Sequence, residues 1–322
     1  MIKKVGVLGG AGFVGSSIVA KLDAAGYQVT VLTRHRERAK HLILLPNVQV
    51  HECDFSNLQD ALKGSDAVIN LIGILHQSGN NTFETVHHQL PRRLAQTCEE
   101  LGIGRLLHMS ALRAGKYAPS QYLRSKAAGE EAISEFNKKL DITIFKPSVI
   151  FGRGDSFINL FATIIKFVPV LVLGKPQAKF QPIWVEDVAD AFVNSLENTT
   201  TYDKTYELGG ATIYTLKELV QKVMDVLATK RPIIGLNKPF SYAQGLMLEL
   251  LPGKLMTRDN VRSMEVDSVT EAPMAAELGV TPTPLEAVIA EYLVNDTPRG
   301  AYNAFRTAAG RAINTRAIND RR

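Results

Sequence analysis

Cysteine is scarce in this sequence, and its scarcity excludes two classes of protein. Cys53 and Cys98 are the two cysteines among 322 residues, and their spacing fits neither a disulfide framework nor a zinc-ligand motif. The adjacent pair His87 and His88 does not indicate a metal site either, because neighbouring residues on a helix point about 100° apart and no third ligand is evident. We therefore expect a protein of the reducing cytoplasm that binds no metal.

Long apolar runs are also missing. The most apolar stretch, residues 157–174, is interrupted by Asn159, Lys166 and Pro169, whereas a membrane-spanning helix needs about 20 consecutive apolar residues. The first four residues lead directly into a predicted strand, which leaves no room for a signal peptide. The sequence thus predicts a cytoplasmic protein, with any membrane contact peripheral and at the inner face.

Outside the C-terminus, the chain has no excess of either charge. The 37 basic and 32 acidic residues give a net charge of +5, and residues 299–322 alone hold six arginines and one aspartate. The neutral body argues against nucleic acid as a partner of the fold. In the tail, Tyr302, Phe305 and Ile313 recur at helical spacing, which fits an amphipathic segment on an anionic membrane surface. A disordered tail fits the same composition equally well.

Residues 5–15 read VGVLGGAGFVG and predict a strand that enters a helix through a glycine turn. Gly9, Gly12 and Gly15 let the backbone come close to a pyrophosphate, and the free N–H groups where the helix starts, around Phe13 and Val14, face its negative charge. The pattern is informative because of its place, directly after a buried strand and before an amphipathic helix. These five residues are the predicted centre of a dinucleotide site.

Strands alternate with helices through the first half of the chain. Such alternation predicts an α/β fold, a doubly wound parallel sheet of the Rossmann type with helices on both faces. The predicted strands are residues 5–8, 28–33, 48–52, 67–71, 106–109 and 142–145. Residues 1–150 are the predicted NAD(P)-binding domain, residues 151–298 a smaller α/β lobe for a substrate or partner, interleaved with it, and residues 299–322 a basic tail.

The second strand ends without the carboxylate that NAD-specific sites use. An Asp or Glu about 20 residues after the glycines binds the ribose 2′-hydroxyl, but this position holds Thr33, and Arg34 follows. A guanidinium can grip a 2′-phosphate that a carboxylate would repel. The sequence therefore favours NADP(H) as the cofactor, with a solvated basic loop as the alternative interpretation.

Tyr122 and Lys126 stand four residues apart on a predicted helix. Residues at this spacing share a helix face, so the Lys126 ammonium can lie near the Tyr122 phenol and lower its pKa. A phenol of lowered pKa can exchange a proton with a carbonyl or an alcohol. Ser110, at the end of the fifth strand, can donate a hydrogen bond to the same oxygen. These three are the predicted catalytic residues.

Together these motifs resemble the extended and atypical branches of the short-chain dehydrogenase/reductase superfamily, over about residues 3–230. The resemblance implies that Ser110, Tyr122 and Lys126 form the catalytic trio, with Tyr122 and Lys126 also touching the cofactor. It further implies cofactor contacts along the carboxyl edge of the sheet, namely Asp54 and Phe55 at the adenine, Leu71, Ile72 and Gly73 at the ribose, and Pro147 and Ile150 beside the nicotinamide.

A narrower resemblance is to bacterial relatives of the NADPH-binding accessory subunit of respiratory complex I. It is carried by YLRSKAAGEEAI, KPSVIFGRGDSFIN, FQPIWVEDVADAF and TYELGG, and it implies a tightly held NADPH without an established substrate. Two departures from sugar-nucleotide epimerases put epimerase or dehydratase chemistry in doubt. His87 stands where many extended members carry Asn, and the interval from Ser110 to Tyr122 is short.

Two functions from different classes remain, and the sequence does not choose between them. One is an oxidoreductase on a lipophilic carbonyl or alcohol, with Tyr122 as proton donor, Lys126 as tuner of its pKa and ribose anchor, and Ser110 orienting the carbonyl. The other is a non-catalytic protein that holds NADPH and serves an assembly or a respiratory membrane complex. A regulator that senses the NADP redox state is a third reading, although such a protein would typically have lost the tyrosine.

Two further features have a structural reading. His108 alternates within a strand, which predicts a core histidine with a satisfied hydrogen bond. Residues 239–256 carry apolar side chains at 246, 247, 250 and 251 ahead of a break at Pro252. This segment fits a lid on a lipophilic pocket, a partner surface or part of the core.

Overall fold

The structure, a computed structural model, describes residues 1–55, 57–250 and 256–294 of the chain. In chain order its strands are β1 Lys4–Leu8, β2 Gln28–Thr33, β3 Val48–Glu52, β4 Ala67–Asn70, β5 Arg105–Met109, β6 Asp141–Pro147, β7 Ile150–Phe151, β8 Leu171–Gly174, β9 Lys179–Phe180, β10 Ile183–Trp184, β11 Lys204–Leu208, β12 Tyr214–Thr215 and β13 Ile233–Leu236. Its α-helices are α1 Phe13–Ala24, α2 Leu58–Leu62, α3 Leu90–Leu101, α4 Gln121–Ser134, α5 Ile158–Phe167, α6 Val185–Ser195, α7 Leu216–Val226, α8 Lys238–Glu249, α9 Arg258–Ser263 and α10 Leu285–Val294.

The main sheet of the described chain has seven strands in the order β11-β6-β5-β4-β1-β2-β3, and every neighbouring pair is parallel. β1 lies between β2 and β4, with Leu8 opposite Leu32 of β2 on one side and Asn70 of β4 on the other. The strand order reverses at β1, and a crevice opens beyond the carboxyl ends of the strands at such a point. The topology therefore places the glycine turn after β1 at the usual ligand position of this architecture.

Strand side chains alternate between two buried faces because helices cover both sides of the sheet. On one face Val7 and Ile69 pack with Ile18 of α1 and Phe192 of α6. On the other face a second cluster joins Leu8 and other strand residues to α2, α3 and α4. A π-helical stretch, Glu84–Gln89, runs directly into α3.

A smaller lobe begins where β6 ends and continues into β7. It is built from three two-stranded pieces, in which β7 pairs with β10, β9 with β12 and β8 with β13. Its own apolar cluster packs α5, α7 and α10 around residues such as Phe151, Leu171 and Leu219. The lobe therefore has a core separate from the two faces of the main sheet.

The predicted fold class is confirmed, and the six predicted strands all occur. The fourth ends at Asn70 instead of residue 71, and the sixth extends to Pro147. No helix among the described residues is long and apolar enough to cross a membrane. The tail at 299–322 and the break at Pro252 lie outside the described residues, as does Leu251. The domain limits at 150 and 298 stay predictions.

Candidate functional site

The glycine turn between β1 and α1 is tightly folded on itself. Gly9 has φ +82°, a left-handed conformation that favours glycine, and its carbonyl accepts from the Gly12 N–H at 3.0 Å. A Cβ at Gly15 would lie 2.2 Å from the Gly9 oxygen and 2.6 Å from the Gly10 Cα. Any side chain at Gly15 would therefore push the turn away from α1.

The start of α1 presents its amides without a competing side-chain cap. Gly12 is the N-cap residue and makes no side-chain hydrogen bond to the first turn, and no acidic residue stands in that turn. Unsatisfied N–H groups at a helix start attract anions. The turn and the uncapped amides of Phe13 and Val14 thus fit a pyrophosphate.

The end of β4 lies directly against this turn. A Cβ at Gly9 would be 3.3 Å from both the Ile72 nitrogen and the Leu71 carbonyl carbon, and the Leu71 N–H donates to the Leu8 carbonyl at 3.0 Å. The Ile72 N–H donates to Asn70 Oδ1 at 3.2 Å. The structure therefore brings the predicted residues Gly9, Leu71 and Ile72 together.

Asn70 also fixes the buried His108. Its Oδ1 accepts from Ile72, so its Nδ2 donates to His108 Nδ1 at 3.1 Å, and the ring proton of His108 is on Nε2. That Nε2–H finds no partner in the described part of the chain. The prediction of a satisfied core histidine is right for Nδ1 and wrong for Nε2. Burial, with Lys126 and His87 nearby, holds the pKa of His108 well below its ordinary value.

Arg34 is positioned at the end of β2 by two residues from other segments. Its Nη1 donates to Asn81 Oδ1 at 2.6 Å, and its guanidinium carbon lies 5.9 Å from the centre of the Phe55 ring. Thr33 is nearly buried, and its Oγ1 accepts from the His35 N–H at 3.2 Å. The predicted Thr33, Arg34 and Phe55 therefore share one corner of the site, beside Asp54. Asn81 has no motif that sequence reasoning could have used.

Helix α4 carries Tyr122 and Lys126 and is capped twice. Ser120 Oγ accepts from the Leu123 N–H at 3.1 Å, and the Asp259 carboxylate of α9 accepts from the N–H groups of Gln121 at 2.8 Å and Tyr122 at 2.9 Å. A carboxylate at a helix N-terminus also interacts favourably with the helix dipole. The smaller lobe thus helps to hold the helix that carries two of the predicted catalytic residues.

Lys126 points to the carboxyl edge of the sheet. Its Nζ donates to the Met109 carbonyl at 2.9 Å, and a Cβ at Gly73 would lie 3.2 Å from the same Nζ. Burial lowers the pKa of Lys126 to about 8, against the opposing effect of Glu130. The structure therefore places Lys126 beside Gly73, one of the predicted ribose contacts.

His87 connects this edge to α4. Its Nε2 accepts from the Ile74 N–H at 2.9 Å, so the proton lies on Nδ1, which donates to Ser125 Oγ at 2.8 Å. Ser125 Oγ in turn donates to the Tyr122 carbonyl at 2.7 Å. Burial, with Lys126 nearby, lowers the pKa of His87 to about 3. His87 is thus a neutral connector with both ring nitrogens engaged.

The surroundings of Tyr122 are aromatic. Its half-buried ring meets the His87 ring edge-on at a centroid distance of 5.7 Å and lies 6.2 Å from Phe83. The sequence predicts that Lys126 lowers the pKa of Tyr122, but burial raises that pKa to about 12. The predicted direction of the pKa shift is wrong because the Lys126 ammonium is held by the Met109 carbonyl, while the Tyr122 phenol is desolvated.

Ser110 belongs to a second polar cluster. Its hydroxyl donates to Glu130 of α4, and the other carboxylate oxygen of Glu130 lies 3.0 Å from Lys146 Nζ. Lys146 also donates to the Ala114 carbonyl at 3.1 Å. Glu130 stands four residues after Lys126, the spacing that could have identified it from sequence. No sequence reasoning pointed to Lys146 as its partner.

The remaining predicted contacts lie where β6 passes into the smaller lobe. The Pro147 carbonyl accepts from the Leu112 N–H at 2.9 Å, and Ile150 of β7 pairs with Ile183 of β10. Pro147 is the last residue of β6, at the carboxyl edge of the main sheet, and Ile150 is the first residue of β7. The predicted site residues thus fall into two groups, one around the glycine turn and Arg34 and the other around α4 and the end of β6.

Comparison with known proteins agrees with this geometry. Residues 5–209 match the NAD dependent epimerase/dehydratase family. The chain is 35% identical over 302 residues to the mitochondrial NADH dehydrogenase [ubiquinone] 1 alpha subcomplex subunit 9 of Mus musculus, covering 89% of this chain and 78% of that protein. It is 26% identical over 256 residues to the ceramide reductase of Caulobacter vibrioides, covering 76% of this chain and 77% of the other.

Solved structures show the same fold at low identity. The UDP-glucuronic acid 4-epimerase of Bacillus cereus, in complex with UDP-glucuronic acid and NAD, superposes with a TM-score of 0.70 at 17% identity. The match covers 90% of this chain and 99% of the epimerase. At this identity the likeness concerns the architecture, a parallel sheet with its nucleotide crevice at the carboxyl edge.

Proposed function

Because the chain belongs to the NAD dependent epimerase/dehydratase family, we propose that it holds NADP(H) as an accessory protein of a respiratory membrane complex. The relatives at 35% to 30% identity are subunits of NADH dehydrogenase by name. This proposal treats the nucleotide as a fixed part of the protein. It also places the protein at the membrane surface on which such a complex stands.

The hydrogen bond of Ser110 is the main observation that favours a non-catalytic protein. The hydroxyl of Ser110, the predicted orienter of a carbonyl, donates to Glu130, and Glu130 is paired with Lys146. The hydrogen-bond donor that would orient a carbonyl substrate is therefore already engaged. The phenol of Tyr122, with its pKa raised to about 12, is also poorly matched to proton transfer near neutral pH.

The residues around the glycine turn fit a dinucleotide. The turn leaves a cradle that a Cβ at Gly15 would disrupt, and the uncapped start of α1 suits a pyrophosphate. Arg34, held by Asn81 and Phe55, would bind the 2′-phosphate, and Lys126 and Gly73 would hold the nicotinamide ribose. When bound, the nicotinamide supplies hydride transfer, so tight retention without turnover distinguishes a holder from an enzyme.

The proposal is tested by the fate of NADPH bound to the purified full chain. We expect NADPH to co-purify and to persist against a broad panel of aldehydes, ketones and quinones. Any oxidation should be about a thousandfold or more below the lower end of ordinary enzyme turnover, 1 s⁻¹. Native gels of membranes from the source cells should show the protein migrating with NADH:ubiquinone oxidoreductase activity. Rapid turnover together with independent migration would overturn the proposal.

A second candidate function is reduction of a lipophilic carbonyl. The similarity to ceramide reductase and the presence of Ser110, Tyr122 and Lys126 favour it. In this case Tyr122 would donate the proton, Lys126 would hold the ribose, and Ser110 would leave Glu130 to orient the substrate oxygen. NADPH consumption with long-chain amide-linked or simple ketones would support it, and Tyr122→Phe should abolish that consumption.

A further inference from the structure

The smaller lobe exposes apolar side chains on two neighbouring elements, here called the β8–α8 surface. Val172 of β8 and Ile234 of β13 are register partners, and both side chains are exposed. Val170, two residues before Val172, is exposed as well. The alternate residues Leu171 and Leu173 are buried in the core of the lobe. The two-stranded ribbon thus turns one apolar face inward and another outward.

Helix α8 extends this outward face. Gln244 Nε2 donates to the Val172 carbonyl at 2.7 Å, so this side of α8 lies next to the ribbon. Phe240 and Met247 are four residues before and three residues after Gln244, which places them on the same helix face. Their side chains are 62% and 71% exposed. Leu250, one further turn along, is 79% exposed.

The inner face of α8 is packed against the lobe and hydrogen-bonded to it. Ser241 is fully buried and its Oγ accepts from the Lys175 N–H at 3.1 Å. A Cβ at Gly245 would lie 3.1 Å from Val261 of α9. The helix therefore packs on the lobe through small residues, and the side chains of Phe240, Met247 and Leu250 remain largely exposed. Exposed apolar side chains that cluster on neighbouring elements are typical of interaction sites.

The segments that build this surface are mostly basic, and their acid is Glu249 at the end of α8. Between Asp155 and Glu186 the charged residues are Lys166, Lys175 and Lys179. Between Asp225 and Glu249 they are Lys230, Arg231 and Lys238. The acids near these segments have partners: Glu249 pairs with Arg258 at 3.0 Å, Glu265 pairs with Lys238 at 3.1 Å, and Asp267 accepts from the Lys179 N–H at 3.0 Å. The apolar surface is thus flanked by basic side chains.

We propose that the β8–α8 surface docks on an anionic phospholipid membrane. Apolar side chains on a helix flanked by lysines and arginines are the pattern of interfacial binding, in which the apolar face enters the headgroup boundary and the cations contact acidic lipids. Lysine stems can lie along the apolar boundary while their ammonium groups reach the phosphates. The inference rests on the proposed function in one respect, since that function sets the protein at a membrane surface, but its test depends on neither the nucleotide nor turnover.

Sedimentation with vesicles tests the proposal on the full chain. Vesicles of phosphatidylcholine with about one third phosphatidylglycerol should pellet the protein at about 0.15 M salt, and pure phosphatidylcholine should pellet less. The double variant Phe240→Asp, Met247→Asp should lower the partition coefficient by about tenfold or more. Both positions are exposed, and an aspartate at position 240 sits in the first turn of α8, where acids are favourable.

A matched pair of exposed apolar residues provides the control. Ile43→Asp, Leu44→Asp changes two exposed side chains between β2 and β3, far along the chain from the β8–α8 surface. It should leave pelleting within about twofold of the unmodified protein. Circular dichroism and thermal unfolding should show that both double variants are folded.

Four outcomes would overturn the proposal. The unmodified protein does not pellet with anionic vesicles, or the Phe240 and Met247 variant pellets as well as the control pair. Pelleting is lost on removal of residues 299–322 but kept in the variant, which would assign membrane binding to the tail. Size-exclusion chromatography shows a dimer that the variant dissociates, which would assign the surface to a second copy of the chain.

Discussion

Gly129 of α4 lies directly on the backbone of His87, since a Cβ at this glycine would stand 2.1 Å from the His87 carbonyl oxygen. The π-helical stretch containing His87 and the helix containing Tyr122 and Lys126 therefore meet without side chains between them. This close approach lets Ser125 reach His87 and lets Lys126 reach Gly73. The positions of Ser125 and Lys126 therefore depend on the absence of a side chain at Gly129.

The first prediction concerns this contact. Gly129→Ala should lower the free energy of unfolding by about 1–3 kcal/mol, because backbone on both sides prevents the overpacked site from relaxing. Gly104→Ala is the control, since a Cβ there meets nothing within 4 Å, and it should change stability little. Urea unfolding of both variants measures the difference. Equal stabilities would show that α4 can shift freely against the π-helical stretch.

The second prediction concerns pH. The pKa of His87 is lowered to about 3 in the folded protein, against about 6.5 when unfolded. Between pH 3 and pH 6.5 the unfolded chain binds a proton at His87 that the folded chain does not bind. The free energy of unfolding therefore decreases as the pH falls below about 6.5. By pH 5 this loss should be about 2 kcal/mol.

His87→Gln isolates this contribution, because glutamine can still accept from Ile74 and does not titrate. The stability of the variant relative to the unmodified protein should therefore improve between pH 7 and pH 5, as followed by urea unfolding at each pH. His108 titrates in both proteins and cancels from the comparison. The same acid dependence in the two proteins would contradict the assignment to His87.

The third prediction concerns cofactor choice. NADPH should bind at least about tenfold more tightly than NADH, about 1.4 kcal/mol or more, because Arg34 is held by Asn81 and Phe55 and Thr33 stands where NAD-specific sites carry a carboxylate. Arg34→Ala should remove most of that preference. Arg36→Ala, an exposed neighbour, is the control and should keep it. Fluorescence titrations measure these affinities. Equal affinities of the unmodified protein for NADPH and NADH would contradict the NADP assignment.

The fourth prediction separates the roles on α4. Lys126→Ala should weaken NADPH binding, since its ammonium lies beside Gly73 at the predicted ribose position. Tyr122→Phe should leave binding nearly intact, because only the hydroxyl is removed from a ring that keeps its contacts with His87 and Phe83. Titration calorimetry gives both affinities. Equal losses in the two variants would show that Tyr122 holds the nucleotide as strongly as Lys126.

Much of the fold could be predicted from local pattern. The glycine turn follows a buried strand, and periodic apolar spacing marks α1 and α6, so short-range sequence rules locate them. The neighbourhood of Tyr122 could be placed on a helix for the same reason. These features depend on residues close in the chain.

The polar partners of the site could not be predicted because they come from distant segments. Asn81 is 47 residues from Arg34, and Asp259 is 137 residues from Tyr122. The pairing of Ser110 with Glu130 depends on which rotamers the fold selects, and the spacing of Tyr122 and Lys126 suggested a pKa change of the opposite sign. Sequence therefore located the chemistry-bearing side chains better than the groups they contact.

The carboxylate of Asp259 links the exposed helices of the smaller lobe to the helix that carries Lys126. Helix α9 packs against α8 at Gly245, and its Asp259 holds the first amides of α4. A series of contacts thus runs from α8 through α9 and the Asp259 carboxylate to the helix of Lys126. If docking favours one placement of α9, it changes nucleotide affinity, and the bound nucleotide must change docking by the same factor. Docking and nucleotide binding are then thermodynamically coupled, with Asp259 as one link between them.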